Sequence, residues 1–221
     1  MVDYYFIFKS LAYLNSFLLT IYGIFSLIFI YTCKNKILKL IALYLLCSSF
    51  FDLTVLFFKD FFLKSLLPLI AYRTSELLII GYLINRYWLK SKIAWILISS
   101  SFCYLMYDLL TYQSKGMLNY EAHAQTVAIV LLIGLIITNL LKQLNSSNEY
   151  NFTHQMLNMV FLAYFSINLI YTVIQNFIIN QSFTNKSFVI FYSSYALLHI
   201  TYYFALAFIL FKNKNKVVSY N

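Results

Sequence analysis

The sequence predicts an all-α fold, an integral membrane bundle of seven transmembrane helices. Seven apolar runs, each close to the roughly 20 residues that cross a bilayer, occupy nearly all of the 221 residues. Hydrophobic residues make up 62% of the chain and charged residues 10%, with a mean hydropathy of +0.76. The runs are continuous, whereas the strands of a membrane barrel alternate between apolar and polar residues. Helices are therefore expected, and a barrel is not.

The predicted helices follow one another with short connections. In chain order they span residues 11–32, 38–58, 62–84, 92–112, 122–142, 155–178 and 187–211. The first is too long for the apolar core of a signal peptide and lacks a small-residue cleavage site, so we expect it to be retained. The longest loop, 144–153, is far shorter than a folded domain. Residues 1–221 are thus expected to form a single transmembrane domain with no soluble domain.

Lysine and arginine residues are distributed unequally between the two sides of this bundle. The larger group comprises Lys34, Lys36, Lys39, Arg86, Lys90, Lys92, Lys142, Lys212, Lys214 and Lys216. The smaller group comprises Lys9, Lys59, Lys64, Lys115 and Lys186. Positive residues are retained in the cytoplasm, which places the N-terminus outside and the C-terminus in the cytoplasm of a multi-pass protein of the cell inner (cytoplasmic) membrane.

The formal net charge of +9 follows from this topology. Basic loops are attracted to the anionic headgroups of the lipid bilayer. The remaining basic residues form no patch large enough for nucleic acid. The bilayer is therefore an expected partner, and nucleic acid is not.

Ionisable side chains at membrane depth are the first candidates for a site, because each costs roughly 2.5–3.5 kcal/mol or more to insert. Five are predicted at such depth: Asp52 in helix 2, Arg73 and Glu76 in helix 3, Asp108 near the outer end of helix 4, and His199 in helix 7. Most of them fall in the outer half. Pro68 precedes two of them in helix 3 and is expected to kink that helix, which would widen an outward-facing pocket.

Arg73 and Glu76 lie three residues apart, so they share a helix face and can pair. Two interpretations remain open for this pair. It is either part of an outward pocket with Asp52, Asp108, Tyr195 and His199, or a structural ion pair that holds helices together. In the second case the side chain of Asp108 reaches the interface between membrane and water.

Polar stripes run along helices 6 and 7. Tyr192, Tyr195, His199 and Tyr202 recur at spacings of three and four in helix 7, and Asn168 belongs to a similar stripe in helix 6. Such stripes either provide interhelical hydrogen bonds or line a pocket or pore. His123 starts helix 5 at the outer interface and is a secondary candidate.

Motifs for catalysis or metal binding are not found. The sequence contains no H-E-x-x-H and no G-x-S-x-G motif. Its four glycines are too few for the glycine-rich loops that bind phosphate. His154 is predicted on the cytoplasmic side, away from His123 and His199, so the three histidines cannot form one metal site. We expect no catalytic residues, no cofactor and no metal. An intramembrane lipid-modifying enzyme using Asp52, Asp108 and His199 remains as a minor alternative.

Two segments carry a resemblance to known proteins. "YRTSELLIIGYLINRYWLK" in helix 3 and "ALLHITYYFALAFILFKNKNK" in helix 7 resemble small, mostly uncharacterised seven-helix inner-membrane proteins of Bacteroidota. The arrangement is also similar to the seven-helix sensor heads of bacterial histidine kinases. The resemblance implies Glu76 and His199 as matching polar positions. Unlike those sensors, the chain shows no kinase or coiled coil after Lys216, so any output is expected through another protein.

Two classes of function follow from these residues. In the first, a receptor or sensor binds a small ligand or a proton in an outward-facing polar pocket and acts through an unknown cytoplasmic protein partner. In the second, an ion or proton channel or small-solute transporter uses the same residues to line a conduit, within one bundle or between subunits of a homo-oligomer. The clustering of ionisable groups toward one side favours the receptor, since a conduit needs polar residues on both sides.

Overall fold

The computed structural model describes residues 4–57, 67–115, 122–145, 152–180 and 185–213, and these ranges contain seven α-helices. In chain order they are α1 Tyr4–Thr32, α2 Lys36–Phe57, α3 Leu67–Leu83, α4 Lys92–Lys115, α5 His123–Asn145, α6 Phe152–Asn180 and α7 Asn185–Asn213. The fold is all-α over the described ranges. The predicted start of the third helix, residues 62–66, lies outside them.

Six of the described helices are long and apolar enough to cross a membrane. Their apolar stretches are Lys9–Thr32, Lys36–Thr54, Lys92–Thr111, His123–Asn145, Thr153–Gln175 and Val189–Asn213. Large apolar side chains such as Ile24, Ile96 and Phe204 are exposed on their outer faces, as expected for helices surrounded by lipid rather than water. The chain is therefore a multi-pass membrane protein by architecture.

The helices pack side by side in chain order, and α7 closes the bundle against α1 and α2. The third helix, α3, takes the central position, since it packs against α2, α4 and α5 and forms hydrogen bonds to side chains of α6 and α7. We call the end at which α1 begins the N-terminal end of the bundle, and the end at which α7 finishes the C-terminal end. The central position of α3 explains how it can carry two charges in an otherwise apolar bundle.

Helix α3 continues as a π-helical segment, Ile84–Leu89, before the chain turns into α4. The turn is held by the Asn85 side chain, which donates to the carbonyl of Ser91 and accepts from its backbone N–H, both at 2.9 Å. Lys90 adopts a left-handed conformation with φ 54°. From α5, the Lys142 ammonium donates to the carbonyls of Trp88 and Leu89 at 3.2 and 3.1 Å. These bonds satisfy carbonyl groups that a helix end otherwise leaves without partners.

The C-terminal half of the bundle has a dense apolar core. Its fully buried members include Phe29, Ile37, Leu38, Ile41, Leu83, Ile84, Leu157, Phe161, Leu206 and Leu210. Buried side chains of this kind contribute about 1.5–3 kcal/mol each relative to exposed ones in water, and in lipid they act through close packing. Asn85, Asn139 and Asn158 are buried in the same half. The N-terminal half differs, because its interior holds charged groups and a cavity.

Candidate functional site

The ion pair that the sequence predicts forms at the centre of the bundle. Arg73 Nη1 lies 2.5 Å from Glu76 Oε2, one turn further along α3. Both side chains are almost fully buried, with exposures of 2% and 1%. Buried charges persist only when they are paired and hydrogen-bonded. Their remaining polar atoms therefore need partners from neighbouring helices.

Tyrosine hydroxyls supply the partners of Glu76. Tyr44 from α2 donates to Oε1 at 2.7 Å, and Tyr72 from α3 lies 3.1 Å from the same oxygen. The hydroxyl oxygens of Tyr72 and Tyr203 are 2.8 Å apart, which connects α7 to the same cluster. Hydrogen bonds to a charged acceptor are worth about 1.5–3 kcal/mol each, so these phenols hold the Glu76 side chain in place.

The guanidinium of Arg73 reaches two further helices. Its Nη2 atom donates to Asn168 Oδ1 of α6 at 2.7 Å and to the Tyr195 hydroxyl of α7 at 3.0 Å. Helices α2, α3, α6 and α7 are thus tied together by one set of side chains. We call it the ion-pair network, and its members are Tyr44, Tyr72, Arg73, Glu76, Asn168, Tyr195 and Tyr203.

An aromatic cluster borders the network. The rings of Tyr164 and Tyr202 stack nearly parallel with centroids 3.6 Å apart. His199 meets Tyr164, Tyr195 and Tyr203 at centroid distances of 5.6, 4.4 and 5.6 Å. These contacts fix the imidazole between rings from α6 and α7, where it has little room to rotate.

A cavity of about 420 Å³ lies beside the network, between α1, α2, α3 and α7. Its described walls are Ala12, Asn15, Ser16, Leu19, Ser48, Phe51, Asp52, Pro68, Leu69, Tyr72, Tyr192, Tyr195, Ala196, His199 and Tyr203. The volume falls within the range of small-molecule sites, and so does the mixture of aromatic walls with a few polar groups. Tyr72, Tyr195 and Tyr203 belong to both the cavity wall and the ion-pair network. The cavity is consequently separated from the buried charges by one layer of tyrosine side chains.

Three buried polar atoms on the cavity wall have no hydrogen-bond partner within the described residues. They are Asn15 Oδ1, Asp52 Oδ2 and His199 Nε2. The Asp52 carboxyl group has one hydrogen bond, from Ser16. A buried polar group without a partner is unfavourable by about 1–3 kcal/mol. Such groups around a cavity indicate that its contents, whether water or ligand, supply the missing bonds.

The structure separates the predicted pocket residues into two groups. Asp52, Tyr195 and His199 line the cavity, as does the secondary candidate Tyr192. Arg73 and Glu76 lie behind its tyrosine wall and are absent from the lining.

The other predicted residues lie apart from the cavity lining. Asp108 is half-buried on α4 and does not contribute to the walls. His123 is exposed at the start of α5. Asn168 belongs to the network, and Tyr202 to the aromatic cluster.

Pro68, predicted to widen a pocket, lies in the first described turn of α3 and forms part of the cavity wall.

Tyr44, Tyr72 and Tyr203 were not predicted as site residues. A signal for the first existed, because Tyr44, Ser48 and Asp52 follow one another at spacings of four and so share one face of α2. Tyr72 stands four residues before Glu76 by the same rule. In both cases the tyrosine was hidden within an apolar run, where a single phenol resembles an ordinary packing residue.

No protein-family model, curated protein or solved structure matches the chain. The function is therefore inferred from its own geometry. Among the described residues, no group of three histidine, cysteine, aspartate or glutamate side chains is placed to hold a metal ion. What the arrangement provides is a largely apolar, aromatic cavity with a few polar groups, in contact with a charged, four-helix network.

Proposed function

We propose that the chain is a seven-span receptor or sensor of the inner membrane, which binds a small ligand in the cavity and acts through a cytoplasmic partner. The observation that carries the proposal is the shared wall. Tyr72, Tyr195 and Tyr203 all line the cavity; Tyr72 and Tyr195 bond directly to the Arg73–Glu76 pair, and Tyr203 bonds to Tyr72. A ligand that alters the position of these phenols changes the hydrogen bonds that tie four helices together. Binding energy is thereby coupled to helix packing.

The seventh span in this proposal is α3. Its described part together with the π-helical segment runs from Leu67 to Leu89, which at about 1.5 Å per residue is long enough for a hydrocarbon core of roughly 30 Å. Its two charges face other helices rather than lipid. A central helix of this kind needs less hydrophobicity than its neighbours, because protein surrounds it.

The proposed orientation has the N-terminal end outside and the C-terminal end in the cytoplasm. Charged groups at the helix ends support it, because most described cations lie at the C-terminal end: Lys34, Lys36, Lys39, Arg86, Lys90, Lys92, Lys142 and Lys212. Lys9, Lys115 and Lys186 lie at the opposite end. In this orientation the cavity is in the outer half, and the basic loops are available to a cytoplasmic partner. The resemblance to sensor heads remains a prediction that agrees with this arrangement.

The apolar core favours a receptor over a conduit. A conduit requires polar groups along its whole length, whereas the C-terminal half of the bundle is filled by side chains such as Phe161, Leu206 and Ile41. These apolar side chains separate a ligand bound in the cavity from the C-terminal end of the bundle, so it would have no path across the membrane.

A channel or transporter is the second candidate, and two asparagines favour it. Asn139 of α5 and Asn158 of α6 are buried in the C-terminal half, and amide atoms of both have no partner among the described residues. In this candidate function their amide groups bind water in a closed passage, which lies either within one bundle or between the subunits of a homo-oligomer.

Flux measurements distinguish the two candidates. The purified protein is reconstituted into liposomes, and ion and proton flux is measured at outer pH values from about 5 to 8. Asp52→Asn alters the cavity, Asn158→Leu alters the apolar half, and Asp108→Asn is the matched control for the first. We expect flux no greater than in empty liposomes for every variant. Flux in the wild type that Asp52→Asn and Asn158→Leu abolish, in folded protein, would overturn the receptor.

A further inference from the structure

The described walls of the cavity hold an acidic side chain and no cationic side chain to balance it. Asp52 is the one charged side chain among its described lining residues, and no lysine or arginine is present there. The nearest cation, Arg73, is already paired with Glu76 and bonded to Asn168 and Tyr195. A negatively charged ligand would meet the carboxylate of Asp52 without a compensating cation. A neutral apolar ligand would leave that carboxylate desolvated and unpaired, which is unfavourable.

The unpartnered atoms of the wall share one chemical property. Asp52 Oδ2 and Asn15 Oδ1 are acceptors, and His199 Nε2 is an acceptor in the neutral tautomer that carries its proton on Nδ1. They contribute acceptors from α1, α2 and α7 to the same cavity. An alkylammonium group is their complement, because it has three N–H donors, no acceptor and one positive charge.

Aromatic rings make up much of the remaining wall. Phe51, Tyr72, Tyr192, Tyr195 and Tyr203 all line the cavity. The faces of such rings attract organic cations by about 0.5–2 kcal/mol at each desolvated contact. They also provide apolar surface for the carbon skeleton of a ligand. A cavity of about 420 Å³ suits a molecule with one amine and a small apolar or aromatic body.

We propose that the ligand is a small primary amine bound as its ammonium ion, with the Asp52 carboxylate as counter-ion and the Asn15 and His199 acceptors completing its hydrogen bonds. This inference rests on the proposed function, since it assigns a ligand class to the same cavity. Asp52 is the specificity-determining residue, and the tyrosine walls transmit occupancy to the ion-pair network.

The test uses the full-length protein in detergent micelles and three probes of similar shape. The probes are 2-phenylethylammonium, neutral 2-phenylethanol and anionic phenylacetate, and calorimetric titration measures the binding of each. We expect saturable binding of the ammonium alone, with a Kd of about 1 mM or tighter for a ligand of this size. Propylammonium tests whether the smaller aliphatic ammonium also binds.

Two cavity variants and one control locate the binding. Asp52→Asn keeps the shape of the side chain and removes its charge, and we expect the Kd for 2-phenylethylammonium to rise by about ten- to a hundredfold. Ala196→Phe fills the cavity and should abolish binding. Asp108→Asn makes the same chemical change outside the cavity and should leave the Kd unchanged. Circular dichroism and gel filtration confirm that each variant is folded.

The outcomes separate this inference from the function on which it rests. Saturable binding of the alcohol or of phenylacetate that Ala196→Phe abolishes would overturn the amine while keeping the cavity as a ligand site. Ammonium binding that survives both cavity variants would also overturn the amine proposal, since the site would lie elsewhere. Absence of saturable binding for both ammonium probes up to about 10 mM, ten times the expected Kd, would overturn the amine proposal, and flux in liposomes would overturn the receptor.

Discussion

The ion-pair network and the cavity are adjacent polar regions, and the acidic side chain of each has different hydrogen-bond partners. Glu76 has hydrogen bonds from Arg73, Tyr44 and Tyr72. Asp52 has a hydrogen bond from Ser16 and one oxygen that has no partner among the described residues. A charge surrounded by protein partners acts on stability, whereas a charge left open at a cavity is available to a ligand. From this difference we infer a structural role for Glu76, and the proposed function gives Asp52 a binding role.

The largest expected effect is at the ion pair. Glu76→Gln or Arg73→Leu alone leaves one buried charge uncompensated and should lower the free energy of unfolding by about 3–5 kcal/mol. The double variant removes both charges, so its loss should be smaller than the sum of the single losses. Unfolding in mixed micelles, titrated with denaturing detergent, measures all three variants. Additive losses would show that the two side chains are not energetically coupled. The structural role assigned to the network would then be wrong.

A smaller effect is expected at the edge of the network. Tyr44→Phe removes the 2.7 Å hydrogen bond to Glu76 without changing the ring, and should lower the free energy of unfolding by about 1.5–3 kcal/mol. Tyr104→Phe is the matched control, because Tyr104 is 40% exposed on α4, and should change stability by less than about 0.5 kcal/mol. The same unfolding titration measures both. Equal losses for the two variants would contradict the assigned role of Tyr44.

The smallest effect on stability is expected in the cavity. Asp52→Asn replaces a partly desolvated charge by a neutral amide, so the free energy of unfolding should stay within about 1 kcal/mol of the wild type or increase. Asp108→Asn provides the comparison at a half-buried position outside the cavity. If Asp52→Asn destabilised the protein by about 3 kcal/mol or more, Asp52 would belong with Glu76 as a structural residue, and the contrast between the two regions would fail.

Local spacing predicted much of this site, and long-range packing decided the rest. The Arg73–Glu76 pair follows from a separation of three residues within one helix, and the helix bounds follow from apolar runs. Tyr44 is 32 residues from Glu76 along the chain, so no periodicity could show that they meet. Asp52 and Asp108 look alike in sequence, yet only Asp52 faces the cavity. Which acid faces a cavity depends on how neighbouring helices rotate against each other.

The position of Arg73 also has a consequence for biosynthesis. In the proposed seven-span arrangement, α3 enters the bilayer before α6 and α7 have been synthesised, although the Nη2 partners of Arg73, Asn168 and Tyr195, lie on those helices. An arginine at the centre of a helix opposes insertion by about 2.5–3.5 kcal/mol. Glu76 on α3 and Tyr44 on α2 are already present at that stage. Glu76 can pair with Arg73, and Tyr44 can donate to Glu76. The bonds around Arg73 are complete only when α7 has been synthesised, so a chain truncated before α7 would keep the bonds of the guanidinium to Glu76 and Asn168 and lack the bond to Tyr195.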